Sequence, residues 1–338
     1  MNPDVIFIKN KLVSLGIDMN GGAITHFLYN GSKMNPLNFR FSKKQMPAVN
    51  RRGAAFKGHF LCAGRWGAPS VGERKAGVPY HGEAANAEWQ LDQKENRKVV
   101  MSTEGNKEFL KIRRIVKLYS YQPVWHCEEE ITNTSSLARL FNIVQHPTIA
   151  APFLDADTRV FCNADKGFHF EHYENPALLS TTWPWGVNTK RKKIRLDKST
   201  SGDTGVYSFA IKKNNTFGWI AAYAPKHNLL LGYIWDRSDY PWINIWQQYK
   251  GRSIIYRGLE FGTTGIHQPF NKIINCGNLC VFNEKVLDYL DAGEKIKKKY
   301  FSFLIQPQTP VKLLTDILIE QNQIRLYSKN DIIIRISI

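Results

Sequence analysis

A chain of 338 residues can bury a substantial core without staples, and 43% hydrophobic with 22% charged residues is a globular balance rather than a disordered one. Five cysteines without a C-x-x-C pair (Cys62, Cys127, Cys162, Cys276, Cys280) argue against a disulfide framework and a structural zinc site, and no run approaches the ~20 apolar residues that span a bilayer. The net charge of +17 is spread along the chain, and its densest groups, residues 190–193 and 295–299, lack the interleaved aromatics or helix-turn-helix spacing of nucleic-acid readers.

In chain order, Met1-Asn2-Pro3-Asp4 and the short mixed run after it lack the apolar stretch of a signal peptide, which together with free thiols implies a cytoplasmic location. Residues 108–118 alternate like a strand with a slip in the middle, Tyr121-Gln122-Pro123 punctuates, and 124–131 leads back as a hairpin. Residues 206–211 and 217–223 flank the polar turn 212–216 and read as a second hairpin. Further strands are expected over 229–235, 243–247, 253–261, 300–305, 323–328 and 332–336. No apolar stripe of helical period persists for three turns, so the expected class is all-β, a sandwich or barrel. With no repeat or linker, one domain over 1–338 is the simplest division, with a core over about 5–306 and 307–338 as an appended pair of strands.

Aromatic residues reach 12%, and rings serve both β packing and sugar-binding clefts, because a ring face packs on a pleat or on sugar C–H groups. Three stretches offer chemistry. Tyr80-His81-Gly82 follows a loop rich in Gly, Arg and Trp that includes Gly64-Arg65-Trp66-Gly67. Gln145-His146-Pro147 follows the apolar run 140–144. In Arg257-Gly258-Leu259-Glu260-Phe261 a carboxylate falls inside an apolar strand, where it needs a partner or a raised pKa. His267, close to Glu260 in sequence, is a candidate for the same site, whereas His26, His59, His126, His169, His172 and His227 fall in no usable pattern. A single histidine beside a strand is more often structural, and a strand glutamate often points to solvent. No spacing points to a metal, although His81, His146 and Glu260 would make a ligand set if they converged.

Taken in order, the motifs resemble the aldose 1-epimerase (galactose mutarotase-like) superfamily. Met19-Asn20-Gly21-Gly22 resembles its early glycine turn. Arg52-Gly53, Arg65-Trp66-Gly67, His81-Gly82 and Trp89 are similar to the RGG, W-x-G, HG and W pattern of the hexose-6-phosphate epimerase branch. Glu130 to Ser135 and His146-Pro147 resemble the N-T-S strand end and the second-histidine segment. Residues 243–247, Tyr256 to Glu260, and Leu290-Asp291-Ala292-Gly293-Glu294 resemble the late W-N-P strand, the catalytic-Glu strand and the L-x-P-G-E turn. Scattered short motifs over roughly residues 15 to 305 carry the likeness. Gln247-Gln248 stands where Asn-Pro is expected, and the loop 65–80 is peculiar to this chain.

The resemblance implies a large antiparallel β-supersandwich and an enzyme that interconverts sugar anomers without a cofactor. Glu260 would be the base and His146 the acid, with His81 hydrogen-bonding the sugar. Arg51, Arg52 or Arg65 would supply the family arginine, Trp66 and Trp246 stacking platforms, and Gln247 a polar contact. The expected partner is a sugar or oligosaccharide, neutral or anionic, rather than nucleic acid or membrane. An anionic sugar would call for cations at the cleft, with Arg51, Arg52, Arg65 and Arg257 as candidates. The alternatives are a non-catalytic sugar-binding protein on the same fold, and a glycoside hydrolase or lyase, which needs a second carboxylate or a Tyr/His pair facing Glu260.

Overall fold

The strand Leu110–Leu118 shows how period-two alternation builds this molecule: Leu110, Ile112, Val116 and Leu118 are buried while Lys111, Arg113 and Lys117 face solvent. The slip in its pattern is Arg114, which takes an inward position and donates from Nε to Glu129 Oε1 at 2.8 Å. It pairs antiparallel with Val124–Asn133 as the expected first hairpin. The computed structural model describes residues 5–200 and 202–338, so Met1 to Asp4, on which the reading of the N-terminus rested, lie outside the described residues.

Two large antiparallel sheets face each other. The eleven-stranded sheet runs from Val5–Lys9 through Val13–Asp18, Ala23–Tyr29, His59–Ala63, Ile143–Ala150, Ser253–Gly258, Trp242–Lys250, Gly205–Ile211 and Ala164–His169 to Thr181–Thr182. Short Glu260–Gly262 pairs with both Ile143–Ala150 and Trp242–Lys250. The eight-stranded sheet runs from Arg159–Cys162 through Phe217–Ala224, Leu229–Asp236, Lys295–Ile305, Val124–Asn133, Leu110–Leu118 and Lys98–Glu104 to Gln90–Glu95. One apolar cluster fills the space between them, from Leu15, Leu61, Ile143 and Ile243 on one side to Met101, Ile112, Trp125 and Tyr233 on the other. Each such fully buried side chain contributes about 1.5–3 kcal/mol.

The second expected hairpin is not one. Gly205–Ile211 belongs to the eleven-stranded sheet and Phe217–Ala224 to the eight-stranded sheet, so the turn between them is a crossover from one layer to the other. Both strands are buried along almost their whole length, and such runs lack the one-sided pattern that would show which neighbour they pair with. The stretch 253–261 is also interrupted at Leu259, whose N–H turns to Pro147 O at 2.8 Å.

At the C-terminus three strands form, not two: Asp316–Glu320, Gln323–Ser328 and Asp331–Ser337. Ile317, Ile324, Leu326 and Ile336 pack on Trp219, Tyr223, Ile234 and Phe303, covering the outer face of the eight-stranded sheet. Trp219 Nε1 donates to Asp316 Oδ1 at 2.8 Å across that contact. With its other face so covered, the eight-stranded sheet leaves the outer face of the eleven-stranded one to form a cleft.

Candidate active site

The strand Ile143–Ala150 is buried at all eight positions, and alternation divides its side chains between two environments. Ile143 and Ile149 point into the space between the sheets, and Val144 points to the outer face, where it packs with Phe60, Trp66 and Val206. His146 shares that outer face. Its register partner Phe60 stacks on its ring with centroids 4.2 Å apart. On its other side the pairing of Val144 with Gly262 and Gln145 with Phe261 brings Glu260 alongside. His146 Nε2 lies 3.2 Å from Glu260 Oε1, and Nδ1 lies 3.0 Å from Thr148 Oγ1.

Glu260 has no exposed surface, and neither carboxyl oxygen has a hydrogen-bond partner of acceptable geometry. Burial pushes its pKa well above the usual carboxylate range and outweighs the opposing influence of the Trp66 indole. Burial likewise lowers His146 to about 3. Both shifts favour the uncharged forms, a protonated carboxyl beside a neutral imidazole, and moving that proton across the 3.2 Å contact would create the carboxylate–imidazolium form without changing the net charge. Room for the carboxyl comes from Gly258: a Cβ there would sit 2.5 Å from Glu260 Oε1.

His81 reaches the same cleft from a loop. Its backbone adopts φ +66°, unusual for a residue with a side chain, and it is held there by two contacts with Gly67. Its N–H donates to Gly67 O at 2.9 Å, and its Nδ1 accepts from Gly67 N–H at 3.1 Å. This leaves the proton on Nε2, as a donor. The His81 and His146 rings lie 5.5 Å apart.

These groups line a cleft of about 200 Å³ together with Phe39, Phe41, Phe56, Phe60, Trp66, Tyr80, Trp246 and His267. The lining contains no lysine or arginine. Glu260, His146, His81, Trp66 and Trp246 are thus brought together. Arg52, Arg65 and Gln247 are not. Arg52 is exposed in a turn beside Arg51. Arg65 turns away into a buried cluster, donating from Nε to Glu108 Oε1 at 2.9 Å and from Nη1 to Glu73 Oε2 at 2.7 Å. Gln247 follows Trp246 directly, so its side chain takes the opposite face, where Oε1 accepts from Arg257 Nη2 at 2.7 Å. Arg257 is directed inward with it and also bonds Lys198 O.

Behind the cleft, Gln145 anchors the catalytic-candidate strand to the second sheet. Its Nε2 donates to Glu129 Oε2 at 2.6 Å and to the Tyr240 hydroxyl at 3.1 Å, and its Oε1 meets His59 Nε2 at 3.1 Å. Sequence reasoning gave Gln145 and His59 no role, and nothing in their local pattern distinguished them. Tyr80 stands next to His81 in the sequence, and that adjacency is the signal for its place in the cleft. Among the described residues no group of three or more His, Cys, Asp or Glu is arranged to hold a metal ion. The basic run at 295–299 is largely neutralised, since Lys295, Lys297 and Lys299 approach Glu130 and Glu128 across the strand pair.

No protein-family model matches the sequence, and no curated protein is similar in sequence. Solved structures are similar in fold. A galactose mutarotase related enzyme from Lactobacillus acidophilus superposes with a TM-score of 0.65 at 13% identity, covering 91% of this chain and all of that one. A galactose mutarotase-like protein from Clostridium acetobutylicum gives 0.63 at 16% identity, over 89% of this chain and 95% of that one. An aldose epimerase homologue from C. elegans gives 0.59 at 12% identity, over 89% and 98%. With two facing antiparallel sheets and these neighbours, the chain has the galactose mutarotase-like fold, an all-β supersandwich.

Proposed function

We propose that this protein interconverts the anomers of a free sugar, with Glu260 and His146 as the proton-exchanging pair. Opening the ring requires that the anomeric O–H lose its proton while the ring oxygen gains one as the C1–O bond breaks. The resulting aldehyde rotates about its C1–C2 bond and recloses by the reverse transfers. A carboxyl and an imidazole in contact supply one acceptor and one donor at once, and the neutral and ionised forms of the pair differ by a single short transfer. His81, whose Nδ1 accepts from Gly67 N–H, would donate from Nε2 to a sugar oxygen. The flat aromatic walls suit the C–H faces of a sugar ring. The observation that carries this reading is the 3.2 Å contact of His146 Nε2 with Glu260 Oε1 inside a sugar-sized, aromatic cleft.

A second reading has support of its own. Burial favours the protonated form of Glu260, and a carboxylic acid is no base until it gives that proton up. A protein that binds a sugar without turning it over fits that state. NMR saturation exchange across hexoses, pentoses, uronic acids and sugar phosphates separates the two. Faster anomer exchange with protein present supports the enzyme; tight binding with exchange at the solvent rate supports the binder.

A further inference from the structure

One polar pair in the cleft takes no part in the proton exchange just described. The Tyr80 hydroxyl lies 3.1 Å from His267 Nε2, and both residues line the cleft. Both are rigidly seated. Tyr80 N–H donates to Asn50 Oδ1 at 3.0 Å, while its carbonyl accepts from Asn50 Nδ2 at 2.9 Å and Asn86 Nδ2 at 3.2 Å. The His267 ring meets Trp66 edge-on at 4.6 Å, and Gly67 packs so closely that a Cβ there would come within 3.2 Å of it. A pinned pair facing a cleft without lysine or arginine has no evident structural task at its hydroxyl.

We propose that Tyr80 and His267 form an uncharged dyad that recognises a sugar hydroxyl close to the reacting carbon and disfavours a hydrogen or an anionic group in its place. This rests on the sugar reading above. Burial keeps the Tyr80 proton on its oxygen and lowers His267 to about 4, so neither carries charge near neutral pH. With the Tyr80 O–H donating its hydrogen bond to His267 Nε2, the proton staying on oxygen, the Tyr80 oxygen turns lone pairs toward the ligand and accepts from an O–H. A deoxy position leaves that oxygen unpaired, and a phosphate or carboxylate brings a second acceptor against it where no cation lines the wall.

The test measures binding and anomer exchange separately for free aldohexoses and aldopentoses, their monodeoxy derivatives and the hexose 6-phosphates. The proteins are wild type, Tyr80→Phe and His267→Asn, each with its melting temperature recorded. The expected result is that wild type prefers one parent sugar over its deoxy analogue at a single position by about tenfold or more. Tyr80→Phe abolishes that preference and leaves binding of the deoxy analogue unchanged. Equal weakening of parent and all analogues in Tyr80→Phe overturns the dyad, as does tighter wild-type binding of the 6-phosphates than of the free sugars. Position-selective binding without exchange keeps the dyad and sinks the epimerase reading; exchange without the Tyr80-dependent selectivity does the reverse. Binding none of these sugars sinks both.

Discussion

Replacing Glu260 by Gln keeps the shape and removes the proton chemistry, and the structure gives the effect on stability a definite sign. In the unfolded chain the carboxyl titrates at about its ordinary value of 4.5, whereas burial raises it in the folded state. A raised folded-state pKa contributes stability that is complete below pH 4.5 and is lost as pH rises through the folded value. The loss grows by about 1.4 kcal/mol for each pH unit between the two. Gln does not titrate, so Glu260→Gln is expected to be the more stable protein at neutral pH and to lose that advantage toward pH 4.5. Over the same change anomer exchange is expected to fall about 10²–10⁴-fold. Urea denaturation of both proteins from pH 4.5 to 8 gives the difference curve directly. Parallel curves would refute the reasoning, because they would mean that the Glu260–His146 pair binds no more protons in the folded state than His146 binds beside Gln, so that burial does not raise the carboxyl.

Other perturbations test neighbouring parts of the argument. His146→Asn is expected to lower exchange to a similar degree, and the double variant with Glu260→Gln should lose less than the product of the two, since both groups act in one proton transfer. Gly258→Ala puts a methyl 2.5 Å from Glu260 Oε1, so the carboxyl must swing away; kcat is expected to drop while the melting temperature changes little. Arg65→Met leaves Glu108 buried without its cation and is expected to cost about 3–5 kcal/mol, read by denaturant midpoint. Acid should also destabilise the fold. His81, His146 and His267 are all lowered from 6.5 by burial, His146 to about 3 and His267 to about 4, so their stabilisation is present above pH 6.5 and is lost as pH falls toward those values. Each contributes a loss of about 1.4 kcal/mol per unit. Glu260 offsets part of it, so the decline should be steeper in Glu260→Gln.

How much was legible in advance depended on whether a feature was local. The hairpin of Leu110–Leu118 with Val124–Asn133 was readable because alternation and a proline-bearing turn sit next to each other in the chain. The partners of Gly205–Ile211 and Phe217–Ala224 were not, because both are buried on both faces and a short polar turn serves a crossover as well as a hairpin. His81, His146 and Glu260 come from three distant segments, and only the ordered likeness to a family suggested that they meet. The roles of Gln145 and Glu129 depend on contacts between sheets that no window of sequence contains.

Two adjacent pairs of residues show where that boundary lies. Trp246 and Gln247 are both sequence candidates for the cleft, yet they are consecutive in a strand, and period two permits only one of them to face it. That conflict was decidable from sequence: once Trp246 is taken as the stacking ring, Gln247 must lie behind the sheet, where it meets Arg257. Arg65 and Trp66 are also consecutive, but they lie in a loop, where no period assigns sides. Their fates were settled by the carboxylates of Glu73 and Glu108, which draw the guanidinium away and leave the indole on the cleft wall. The same pull explains the cleft's lack of cations. In this chain Arg65 holds the loop that carries Trp66 and His81, so under the sugar reading proposed above recognition at that wall would fall to uncharged groups. A variant that frees Arg65, such as Glu73→Gln, would therefore be expected to loosen the loop rather than to create affinity for an anionic sugar, and titration with a hexose 6-phosphate would show which.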